Sequence, residues 1–201
     1  MTTLDPKAAF FHVIDPHRWL AASASAWNLV GKNAPNETKE AAHNLVPNID
    51  VFTRDCLLLH GRSLIKFYRN VKSRDTDIIL SDFKFPAMDK SLDGNLKEFE
   101  QSIEVHLLHL TDWRVSDYRK LNAVGNAALR DRRHWDRETI PMVNLIFDAL
   151  KFASDQHGGW QQPFRKLHEA STERYRNKSY VWPVELSEKT DVEHYLKSLG
   201  L

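Results

Sequence analysis

A chain of 201 residues, 42% hydrophobic and 27% charged, has the balance of a globular protein and can close a core without covalent staples. Its 28 Lys and Arg against 27 Asp and Glu leave a net charge of +1. That excludes a global pull toward nucleic acid or membrane, so any such surface must be a local patch. The single cysteine, Cys56, excludes an intramolecular disulfide and a cysteine-based zinc site.

Only 7 glycines and 8 prolines argue against a turn-dense all-β fold. No apolar run reaches membrane-spanning length, and the first residues lack the cationic stretch and apolar core of a secretory signal. The expectation is a cytoplasmic protein with no membrane partner.

Asp15-Pro16 has the chemistry of a helix start, aspartate as cap and proline in the first turn, with the helix running to Val30. Residues 31–36 read as a loop. A second helix starts near Asn36 and is interrupted by Pro47. From Ile49 to Arg69, at 100° per residue, Ile49, Phe52, Cys56, Leu59, His60, Leu64 and Phe67 share one stripe, which predicts a helix buried along that face. Residues 72–95 are irregular, and Ile78-Ile79-Leu80 reads either as a short strand or as a plug for the core.

A helix is predicted over residues 96–118, another over 137–154 and ended by Gly158-Gly159, and a third over 162–176. A short C-terminal helix is predicted over residues 191–199. About six helices with no convincing sheet predict a single-domain all-α bundle over 1–201, with its core in 16–155 and a helical extension in 158–201.

Two histidine sets lie in this helical sequence, each trailed by an arginine: Arg54 through His60 to Arg62, and His106-Leu-Leu-His109 to Arg114. Histidine exchanges a proton near neutral pH and arginine holds phosphate, so the pairing suits polyanion chemistry. RNA cleavage through a neighbouring 2′-hydroxyl needs this kit: an acid or base and a cation on the phosphate. The alternative is histidine packed and hydrogen-bonded in the core.

His106 and His109 share a helix face, but no third ligand is evident, so no metal is expected. No glycine-rich phosphate loop or nucleophile elbow occurs, and no cofactor is expected. Asp75, Asp77 and Asp82 are expected to cap turns or to pair with Arg62 or Arg114. Arg130, Arg132 and Arg133, with Trp135 beside them, form the densest basic stretch and a candidate RNA-contact patch.

Three ordered segments carry a resemblance: Leu57-Leu-Leu-His60-Gly-Arg62-Ser-Leu64-Ile-Lys-Phe67, then Asp77-Ile-Ile-Leu-Ser-Asp82-Phe83, then His109-Leu-Thr-Asp-Trp-Arg114. In these the chain resembles a group of uncharacterised bacterial helical proteins whose layout is similar to HEPN-like and abortive-infection proteins. Gly61 and Ser63 stand where that group usually has alanine and asparagine. The resemblance points to His60, Arg62, Asp82, His109 and Arg114 as one constellation. It implies a HEPN-like RNA-binding or RNA-cleaving protein that is metal-independent and homodimeric. In that reading His60 or His109 is the acid or base and Arg54, Arg62 or Arg114 binds phosphate. The competing expectation is a non-enzymatic interaction protein in which the His/Arg/Asp cluster, with Asp82 and His106, is a structural network.

Overall fold

A computed structural model describes residues 6–31, 34–74, 77–101, 103 and 127–176. Among them there are helices and no strands. In chain order they are α1 (Pro6–Val30), α2 (Asn36–Leu45), α3 (Ile49–Tyr68), a 3-10 turn η1 (Leu80–Phe83), α4 (residues 90–101), α5 (Ala127–Asp155) and α6 (Gln161–Arg176). The protein is an all-α bundle, as its composition and periodicity predict. No described helix is long and apolar enough to cross a membrane.

The first helix begins ten residues before the proline expected to open it, and Pro16 lies inside α1. Core demand explains the difference. Phe10, Val13, Ile14, His17, Leu20, Ala21 and Ala24 recur at three- and four-residue steps, and all are buried. Burying the first of these recovers more free energy than the one backbone hydrogen bond that a proline removes. The start of α4 also moves forward: Asp89 Oδ1 accepts the amides of Ser91 and Leu92 at 2.9 Å, so the helix opens at residue 90 instead of 96. Pro141 lies within α5, which starts ten residues ahead of the predicted 137.

Contacts give the layout of the bundle. His17 meets Tyr68 and Trp19 meets His60, so α1 and α3 run antiparallel. Phe10 packs on Phe164 and the His17 ring senses His168, so α1 and α6 run in the same direction. The turn at Gly158 (φ 148°, a left-handed value suited to glycine) reverses the chain between α5 and α6. At one end Phe10, Phe67, Phe83 and Phe164 form a cluster, with Trp160 edge-on to Phe83 at 4.8 Å. Leu80 and Phe83 enter this end from η1, so Ile78-Ile79-Leu80 plugs the core and forms no strand.

The face that α3 buries differs from the predicted stripe. Thr53, Leu57, Leu58, Gly61, Leu64, Ile65, Phe67 and Tyr68 are buried, whereas Phe52 and Leu59 are 60% and 55% exposed and Cys56 is exposed. Gly61 is the reason α5 comes close. A Cβ there would stand 2.8 Å from Met142 Cε and 3.6 Å from Ile146 Cδ1. The glycine surface receives the α5 side chains, turning the opposite edge of α3 toward solvent.

Candidate functional site

The candidates on α3 do not share one surface. His60 is half-buried, and its ring lies parallel to the Trp19 indole at 13° with centroids 6.3 Å apart. Burial lowers its pKa from the ordinary histidine range, and the Asp15 carboxylate partly opposes that shift. Arg54 donates from Nε and Nη2 to the Asp55 carboxylate at 3.3 and 3.2 Å. Arg62, two residues beyond His60, projects about 160° away from it around the helix axis. It lines a groove that His60 does not reach.

Asp82 has two partners. Its Oδ2 accepts the Ile79 amide at 2.9 Å, closing η1, and its Oδ1 lies 3.6 Å from Lys72 Nζ. The expectation paired Asp82 with Arg62 or Arg114, whereas the salt bridge of this carboxylate is with Lys72. Asp77 accepts the amides of Ser73 and Arg74 at 2.7 and 2.9 Å, and these bonds hold its carboxyl below the usual range.

His106, His109 and Arg114 lie outside the described residues. Arg130, Arg132, Arg133 and Trp135 are on the first turns of α5, and their side chains are outside the described residues too. Among the described residues no group of three His, Cys, Asp or Glu converges as a metal site would.

Two polar arrangements were not singled out from the sequence. His17 is fully buried and shares a 2.7 Å hydrogen bond between its Nε2 and Tyr68 Oη. Burial, with a smaller contribution from His168, pushes its pKa down to about 3, so the ring is neutral at physiological pH. Its i±3 and i±4 spacing to Ile14, Leu20 and Ala21 was a legible signal of a core position. The second arrangement is Arg69, which ion-pairs with the buried Glu100 and with Asp93 at 3.1 Å, tying α4 to the end of α3. No local spacing announces this pair, because its members are 31 residues apart.

Two surface features remain. One is the groove lined by α1, α3 and Val71, Ser73, Arg74, Asp77 and Ile78, which carries Arg62. The other is an apolar edge: Phe52 and Leu59 on α3, Trp19 on α1 (52% exposed), and Leu45 and Val46 at the end of α2. Comparison with protein-family models, with curated proteins and with solved structures gives no match.

Proposed function

We propose that this chain is a non-enzymatic helical interaction protein that acts as a homodimer. In this reading, the polar residues of the sequence constellation serve its structure. The observation that carries the reading is the solvent-facing edge of α3. Ile49, Phe52, Cys56, Leu59 and Ser63 recur in alternating steps of three and four, the spacing of a helix–helix seam, yet Phe52 and Leu59 are more than half exposed.

A second copy is the partner that this spacing fits best. Phe52 and Leu59 lie symmetrically about the middle of the stripe, so two antiparallel α3 helices would place Phe52 of one against Leu59 of the other, with Cys56 near the twofold axis. His60 packed on Trp19, Arg54 held by Asp55 and Asp82 closing η1 support the structural half of the reading.

Light scattering across a concentration series tests it. Dimers are expected for the wild type and monomers for Phe52→Ser with Leu59→Ser; a wild type monomeric at every concentration overturns the proposal. The HEPN-like ribonuclease reading has its own test: RNA cleavage by purified wild type that His60→Ala abolishes while retaining its fold would replace the interaction-protein reading.

A further inference from the structure

The α3 seam is too narrow to hold two copies by itself, and the side chains that widen it define a second contact between them; this inference rests on the dimer reading. Five large apolar residues are exposed among the described residues: Phe52 and Leu59 on α3, Trp19 on α1, and Leu45 and Val46 at the end of α2. At about 200 Å² for a whole aromatic side chain and somewhat less for an aliphatic one, the exposed parts of Phe52 and Leu59 come to roughly 200 Å² per protomer and those of all five to roughly 500 Å². A standard interface takes roughly 800 Å² from each partner, part of it from a polar rim. A stable pair therefore has to engage α1 and α2 as well as α3.

Trp19 and the end of α2 flank the same side of the stripe, at opposite ends of it. At 100° per residue His60 and Asp50 both fall on one side of the line through Phe52, Cys56 and Leu59. His60 carries the stacked Trp19, which sets that indole level with Leu59. Asp50 meets His43 of α2, with Nε2 and Oδ1 3.6 Å apart. The Val46 carbonyl accepts the Ile49 amide at 3.2 Å, so Leu45 and Val46 stand at the opening of α3, one turn before Phe52.

A twofold axis that reverses α3 near Cys56 exchanges the ends of the stripe and keeps its sides. It carries Trp19 of one copy to the level of Phe52 in the other, on the side where α2 ends. We propose that Trp19 of each copy docks against Leu45 and Val46 of the other, two equal contacts flanking the Cys56 axis. Tryptophan is among the residue types most enriched in binding hot spots, and this one has half its surface in water. A parallel pair would leave Trp19 on the side away from the second copy's α2 end, so the contact also selects the antiparallel pair.

Sedimentation equilibrium on the full chain tests the pairing. Trp19→Lys and Leu45→Glu are each expected to weaken dimerisation, the first about thirtyfold. Leu45 is 83% exposed, so its replacement leaves the core intact. A mixed pair sets one introduced lysine against one introduced glutamate and keeps one unaltered Trp19–Leu45 contact. An equimolar mixture should therefore dimerise more tightly than either variant alone. A second measurement needs no variant to fold: in a mixture of isotope-labelled and unlabelled wild type, isotope-filtered NOEs are expected between the Trp19 indole of one copy and the Leu45 methyls of the other.

A dimeric wild type without those NOEs, or a mixture no tighter than Leu45→Glu alone, overturns this contact and leaves the α3 dimer standing. A wild type monomeric at every concentration overturns both. A monomer whose Trp19 shows NOEs to residues 177–201 does the same and assigns the edge to the chain's own C-terminal segment.

Discussion

Removing the buried His17–Tyr68 pair should change how stability depends on pH. The unfolded chain protonates His17 near 6.5, whereas the folded protein keeps it neutral down to about 3. Between these values the unfolded state binds more protons, so the contribution is complete above pH 6.5 and is lost as pH falls toward 3. One pH unit within that window is worth about 1.4 kcal/mol, so His17 alone should cost about 2 kcal/mol on going from pH 7 to pH 5.

His60 and His168 are also shifted downward and push stability in the same direction, so the slope of the wild type does not isolate His17. The informative quantity is the difference from a His17→Leu, Tyr68→Phe double variant. That variant removes both polar partners and leaves neither unsatisfied. Urea unfolding at pH 7 and pH 5 should show the wild type losing about 2 kcal/mol more than the double variant. Equal losses in the two proteins would refute the burial argument and mean that water reaches the imidazole.

Gly61→Leu should destabilise the fold by about 3 kcal/mol, read from the urea midpoint, because its Cβ alone meets Met142 Cε at 2.8 Å. Adding Met142→Ala should recover part of that loss, and no recovery would show that the two side chains do not compete for one space. Glu100→Gln should cost about 2 kcal/mol in the same measurement, because Arg69 would keep its charge with only Asp93 as a carboxylate partner. Asp82→Ala should cost about 1 kcal/mol and speed hydrogen exchange at the Ile79 amide, which donates to that carboxylate. Unchanged exchange there would remove Asp82 from its role in closing η1.

The helical class and the extents of α3 and α6 were legible in the sequence, because they depend on local terms. Ile49 to Arg69 carries an unbroken 3.6-residue apolar period, and the Gly158-Gly159 turn marks the reversal before α6. The start of α1 was not. Asp15-Pro16 has the local chemistry of a beginning, but the buried run of Phe10, Val13 and Ile14 outweighs it.

The sequence by itself determined that this chain would be helical, because amphipathic period and capping act over one or two turns. Only the tertiary structure decided which side of α3 is the inside. Phe52 and Leu59 are as apolar as Leu57 and Leu58, but Gly61 admits Met142 on the opposite side, and steric access, invisible to a periodicity, turned the helix. The same holds for the groove. His12 and Arg62 are 50 residues apart, and they line one groove because α1 and α3 pack antiparallel.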